Sequence, residues 1–278
     1  MSSHVKTPFR YPGSKSAFTN VVKEFVDYNG LKDSILVEPY AGSAAVTISL
    51  ISENICSNAV IGERDPLLYS FWKVVFTNPK ELKERIRLTK VDLDTWESLQ
   101  PFLKIDNPRG HDLDELAFAA IFLNRTNFSG VMHAGPIGGK SQRSAYKVNC
   151  RFNKDDLISK ITQLRKLGSR VKVKFGDALK LIDEYRNDKN CLFYIDPPYF
   201  IQGPKLYRHH YSLTQHIALA KALESVEFKW LLSYDSHDVI KRLYEEHNHV
   251  LKPFQYSTRT PKNENELLIT NLLIPDSE

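Results

Sequence analysis

The side chains best suited to chemistry stand together in Asp196-Pro197-Pro198-Tyr199, directly after the apolar run Cys191-Leu192-Phe193-Tyr194-Ile195. Two consecutive prolines fix φ and carry no backbone N–H, so the segment offers carbonyl acceptors in a rigid frame beside a carboxylate. Such a set can grip an amine. Tyr199 adds a flat face for a planar base, and base-aromatic stacking is worth about 1–3 kcal/mol. A strand that merely stops at a turn would need only an Asp-Pro pair.

Two further segments suit a ligand. Glu38-Pro39-Tyr40-Ala41-Gly42-Ser43 leaves the β-rich run Ile35-Leu36-Val37 and turns into the apolar stretch from Ala44 to Ile51, with Gly42 allowing close approach of a ligand to the backbone. Glu63 stands about 20 residues beyond Gly42, where an α/β nucleotide fold sets an acid on ribose hydroxyls, and is preferred to Asp65 for that role. Arg10-Tyr11-Pro12-Gly13-Ser14-Lys15 lacks the Gly-Lys pair and the earlier glycine of a phosphate loop. His209, His210 and His216 lack a zincin spacing, so no metal is expected. Cys56, Cys150 and Cys191 are too far apart for a zinc knuckle or a redox pair, and none follows a proline as a cytosine C5 nucleophile would.

An alternating α/β pattern must position these residues. Ala59 to Gly62, Val171 to Phe175, Cys191 to Ile195, Lys229 to Ser233 and Leu267 to Thr270 read as further strands, and Ser212 to Leu223 as a crossover helix. From Phe76 to Lys166 the strand signals fade. Helical stretches such as Pro79 to Thr89 and Leu116 to Leu123 alternate there with polar, glycine-bearing loops. The chain therefore divides into a sheet domain of residues 1–75 and 167–278 and an insert of residues 76–166. With 278 residues, 42% of them hydrophobic, it can bury a full core. A net charge of +5 suits a polyanionic partner without requiring one. Met1 to Lys6 has no apolar signal core, and no apolar run is long enough to span a bilayer, so a reduced, cytoplasmic protein without a membrane partner is expected.

In this order the three motifs resemble the Dam-type, alpha-group DNA adenine N6-methyltransferases, from Phe9 to Asn271. The resemblance implies a Rossmann-like sheet dependent on S-adenosylmethionine, a mainly helical target-recognition insert, and methyl transfer to N6 of an adenine flipped out of double-stranded DNA. A cognate restriction endonuclease would be a functional rather than a physical partner. By the same resemblance Asp196, Pro197, Pro198 and Tyr199 are catalytic. Tyr11, Lys15, Glu38, Pro39, Tyr40, Gly42, Ser43, Glu63, Asp177 and Asp196 surround the methyl donor, with Asp177 on its adenine amino group.

In the insert, Arg125, Asn127, Phe128 and Ser129 match the family segment that meets DNA, Phe128 as a wedge beside the extruded base. Lys140, Arg143 and Lys147 suit phosphates. His133 stands where GATC-specific relatives carry a guanine-reading arginine, so GATC recognition is not implied. The chain departs from the family where Ala44 or Ala45 replaces a second glycine and where Glu63 replaces the commoner aspartate. Tyr234-Asp235-Ser236-His237 stands where relatives carry Ser-Asn and supports the fold rather than the chemistry. The residues alone leave open methylation of cytosine N4 or a protein glutamine, and a silent nucleic-acid-binding module. Aspartate rather than serine or asparagine at position 196, with the large insert, favours adenine in DNA.

Overall fold

Short apolar runs rich in β-branched and aromatic residues form the central strands β1 (Ile35–Glu38), β2 (Asn58–Glu63), β4 (Cys191–Ile195) and β5 (Lys229–Asp235), while β3 (Val171–Phe175), which alternates valine with lysine, lies at one edge. Two longer, more polar strands, β6 (Asn248–Tyr256) and β7 (Lys262–Thr270), complete the sheet. The strand order is β3-β2-β1-β4-β5-β7-β6 in the computed structural model, which describes residues 5–10, 18–201, 203, 208–256 and 262–275. β7 runs antiparallel to both its neighbours, and the pairings among β1 to β5 are parallel. This is a mixed α/β, Rossmann-like fold.

Strand order reverses between β1 and β4, which lie side by side with Val37 opposite Phe193. A crevice opens at the carboxyl ends of strands at such a switch point. The loops leaving Glu38 and Ile195 both enter it.

Alternate strand residues feed opposite faces. Leu36, Ile61 and Tyr194 join α1 (Phe18–Tyr28), α2 (Ala45–Ser52) and α3 (Pro66–Thr77) in one core. Val37, Phe193 and Leu232 join α8 (Ala178–Tyr185), α9 (Leu213–Leu223) and α10 (Asp238–Leu243) in the other. Each fully buried side chain of this size contributes about 1.5–3 kcal/mol. Caps fix where the helices begin: Asp65 accepts from the N–H of Leu67 at 2.8 Å ahead of Pro66, and Asp177 accepts from the N–H of Leu179 at 2.9 Å.

Between α3 and β3 the chain forms α4 (Lys80–Leu88), α5 (Leu93–Leu99), α6 (Leu113–Thr126) and α7 (Lys154–Arg165), with short 3-10 turns at Gln100–Lys104 and Phe128–Gly130. The segment is helical, as its composition led us to expect. It does not have a core of its own, because Leu116 and Phe122 of α6 bury in the same cluster as Phe71 and Trp72 of α3. Among the described residues no helix is long and apolar enough to cross a membrane.

Candidate active site

β4 delivers Asp196 half-buried to the crevice, with Pro197 buried behind it. Three consecutive residues of β5 hold the segment that follows. The Ser233 hydroxyl donates to Asp196 Oδ1 at 2.9 Å. Tyr234 lies 6.2 Å from the Tyr199 ring, centroid to centroid. The Asp235 carboxylate accepts from the backbone N–H groups of Phe200 at 3.1 Å and Ile201 at 3.0 Å. Tyr234 is itself fixed by His216 Nδ1, 2.6 Å from its hydroxyl. His216 is buried, which lowers its pKa and keeps it neutral.

The glycine loop opposite is equally constrained. Its backbone turns through Gly42 at φ 46° and Ala44 at φ 47°, so a residue with a side chain adopts the left-handed conformation that a second glycine would take freely. Glu63 Oε2 accepts from the Gly42 N–H at 3.0 Å, and the Gly42 carbonyl accepts from Trp72 Nε1 at 2.9 Å. Glu38 Oε2 accepts from the Thr47 N–H at 3.2 Å and the Thr47 hydroxyl at 2.5 Å. Ser43 is buried, and the Tyr40 hydroxyl lies 2.8 Å from that of Tyr211, which ties this loop to the chain beyond the acceptor segment.

Burial raises the carboxyl of Glu38 to about 8, against the Thr47 hydrogen bonds and with a smaller contribution from Asp196. Burial likewise raises Glu63 to about 7, with Asp65 adding to it and the Gly42 N–H opposing it. The thiols of Cys56 and Cys191 are pushed up to about 11 and about 12 by burial and stay protonated. Among the described residues no group of three or more His, Cys, Asp and Glu side chains is placed to hold a metal ion.

Where the ends of β2 and β3 meet α8, a pocket is lined by Pro39, Gly62, Phe175, Gly176 and Asp177 together with Lys174, Ala178, Lys180, Leu181 and Glu184. A β-carbon on Gly62 would meet the tip of Leu181 at 2.7 Å and the Pro39 backbone at 3.2 Å, so a side chain there would have to push both aside. Asp177 spends one oxygen on its helix cap, and the other lies 3.6 Å from Arg64. Tyr11 and Lys15 lie outside the described residues.

On the insert, Phe128 is 67% exposed beside exposed Ser129, whose φ of 55° turns the chain sharply. His133, Lys140, Arg143 and Lys147 are exposed on the following loop. Asn127 and Arg125 depart from the surface role expected of them. Asn127 is fully buried, accepting from Trp96 Nε1 at 2.6 Å and donating to the carbonyls of Met132 at 2.7 Å and Val131 at 3.1 Å. Arg125 is half-buried and donates to the carbonyls of Arg151 at 2.7 Å and Pro8 at 3.3 Å. Burial lowers its pKa to about 10, with Arg10 adding to the effect. Asn127 braces the turn that presents Phe128, and Arg125 ties the end of α6 to the chain at Pro8 and Arg151.

Asn124, Ser233, Asp235, His216 and Arg208 were not singled out as site residues from sequence. Asn124 pairs with both the N–H and the carbonyl of Arg10 at 2.8 Å, and so docks the segment that leads to Tyr11 and Lys15. Arg208 donates to Ile105 O at 2.8 Å and Asp106 at 2.7 Å, and so ties the chain beyond the acceptor segment to the insert. No local signal marks them, since each acts through a partner distant in sequence. The Ser-Asn position of relatives was the one available pointer to β5.

A sheet of this order, with a proline-framed acceptor segment at its switch point, defines a Rossmann-like methyltransferase. The family model of D12 class N6 adenine-specific DNA methyltransferases matches residues 11–258, and the chain belongs to that family. The family's reaction is adenine methylation in DNA, which implies a methyl donor of the S-adenosylmethionine type. The chain is also similar to the Type II methyltransferase M.CviBI of Paramecium bursaria Chlorella virus NC1A. The two are 22% identical over 274 residues, covering 97% of this chain and 99% of the relative.

Proposed function

We propose that the crevice methylates N6 of an adenine flipped out of double-stranded DNA, with Asp196 and the Pro197 carbonyl accepting the two amine hydrogens and Tyr199 stacking on the base. The observation that carries this reading is the placement of Asp196 at the carboxyl end of β4, beside β1 and its glycine loop. Accepting both N–H groups turns the nitrogen lone pair towards the methyl group, so positioning and electrostatics do the work.

S-adenosylmethionine suits the residues around the pocket. Within it the Asp177 carboxylate suits an adenine amino group; outside its lining, the second lone pairs of Glu63 suit ribose hydroxyls, and Gly42, bonded to Glu63, puts no side chain in the way of the methionine end. When bound, the donor supplies an electrophilic methyl group on a positively charged sulfur. Glu38, Tyr40 and Ser43 shape the loop around it, and the family resemblance assigns Tyr11 and Lys15, outside the described residues, to donor binding. Residues 76–166 read the target. Phe128 and Ser129 enter beside the extruded base, His133 reaches base edges, and Lys140, Arg143 and Lys147 hold phosphates, with Asn127 bracing the turn from within and Arg125 tying down the end of α6. A cytoplasmic setting, with a restriction endonuclease as functional counterpart, fits this role.

The test is transfer of radiolabelled methyl from S-adenosylmethionine to unmodified genomic DNA, with Asp196→Ala alongside and nucleoside analysis of the product. N6-methyladenine from the unmutated chain alone is expected. Label in N4-methylcytosine, or full activity of the variant, would overturn the reading.

A further inference from the structure

The Ser233 hydroxyl has one hydrogen, and Asp196 Oδ1 takes it at 2.9 Å. The Tyr194 hydroxyl lies 3.4 Å from Ser233 Oγ, and with the serine hydrogen already committed, only Tyr194 can be the donor in that contact. The hydroxyls thus point one way, from Tyr194 to Ser233 to Asp196. Both are fully buried, on adjacent parallel strands. Burial, with Asp196 nearby, raises the Tyr194 phenol well above its ordinary range, so it keeps its proton at neutral pH.

We propose that Tyr194 and Ser233 form a one-directional hydroxyl relay that fixes the rotation of the Asp196 carboxylate, making both of them positioning residues for methyl transfer. The proposal rests on the reading of Asp196 as amine acceptor. A carboxylate on a free Cβ–Cγ bond rotates through a broad well. A charge-assisted hydrogen bond to one oxygen selects a single orientation. The backbone of Ser233 is held independently in the β5–β7 ladder opposite Leu268, so the side chain is available for this task without being needed to form the strand.

The experiment measures kcat and KM for DNA, together with the dissociation constant of S-adenosylmethionine by calorimetry, for Ser233→Ala, Ser233→Thr, Tyr194→Phe and Asp196→Asn. Ser233→Ala should lower kcat about tenfold, the size of one lost charge-assisted hydrogen bond, while KM and the donor dissociation constant stay within about twofold. Ser233→Thr, which keeps the hydroxyl, should recover most of the loss. Tyr194→Phe should lower kcat severalfold in the same pattern, and it decides the matter if Ser233→Ala does not fold. An unchanged kcat in Ser233→Ala, a loss that falls on affinity instead, or no recovery with threonine overturns the relay. If Asp196→Asn is inactive while Ser233→Ala keeps full kcat, the relay alone fails. If Asp196→Asn is fully active, the acceptor reading fails and the relay with it.

Discussion

The Glu63 carboxylate accepts from the Gly42 N–H at 3.0 Å through one oxygen and from the Asp65 N–H at 2.8 Å through the other. One buried acid thereby ties the loop after β1 to the turn after β2. Glu63→Gln would set an amide N–H₂ against one of these backbone donors and leave it unpaired, a cost of about 1–3 kcal/mol. Binding of S-adenosylmethionine, read by calorimetry, should weaken at least tenfold and the melting temperature should fall. Unchanged affinity would remove Glu63 from the donor site.

Stability should depend on pH through the two acids of the crevice. Burial raises Glu38 to about 8 and Glu63 to about 7, both from an ordinary value of 4.5. Between the ordinary and folded values the folded chain binds more protons than the unfolded chain, so the contribution of these groups declines as pH rises through that window. Without donor, the melting temperature should fall between about pH 4.5 and pH 8, and Glu38→Gln should flatten the fall. A slope that the variant leaves unaltered would contradict the assignment.

Neighbours on the insert should behave in opposite ways. Asn127→Ala leaves Trp96 Nε1 and two carbonyls without their buried partner, so a loss of about 2–4 kcal/mol in denaturant unfolding is expected. Phe128→Ala removes an exposed ring and should unfold within about 0.5 kcal/mol of the unmutated chain. Its defect should appear in base extrusion, as a smaller rise of fluorescence from 2-aminopurine placed at the target adenine. An equal rise in both proteins would refute the wedge.

Gly130 meets two demands at once. Its φ is +77°, and a β-carbon there would stand 2.1 Å from the Arg10 carbonyl oxygen. Gly130→Ala should therefore cost at least about 2 kcal/mol and release the segment around Arg10 from the insert. Hydrogen exchange at Phe9 and Arg10 should rise, and exchange equal to that of the unmutated chain would show the close approach to be dispensable.

The central strands were legible because a sheet covered on both faces is written as unbroken apolar runs, of which Cys191 to Ile195 is the clearest. β6 was missed because, unlike the other edge strand β3 with its regular valine–lysine alternation, it has no clean alternation and is interrupted by Pro253. The acceptor segment was legible from four adjacent residues. Its supports were not, since Ser233, Asp235 and His216 meet it only after β4 and β5 pair and α9 folds back. Asn127 misled for a related reason: its buried partners, Trp96 and Met132, come together only in the folded insert. Ala44 takes the left-handed conformation at this turn, at a cost of only about 1–2 kcal/mol, in a loop held through both the N–H and the carbonyl of Gly42.

β2 and β3 are adjacent and parallel, yet the chain between Glu63 and Val171 contains the whole helical insert. A connection that leaves one strand and returns to its neighbour can be rewritten, shortened or extended without any strand changing partner, and doubling a loop's length adds only about 0.6 kcal/mol of closure entropy. In evolutionary terms the excursion is free to drift while the catalytic frame stays still. It is held where it touches the frame: in the core that Leu116 and Phe122 share with Phe71 and Trp72, at the Asn124 amide on Arg10, and at the missing side chain of Gly130. The exposed loop around Phe128 and His133 can therefore change what it faces while those anchors hold the insert in place.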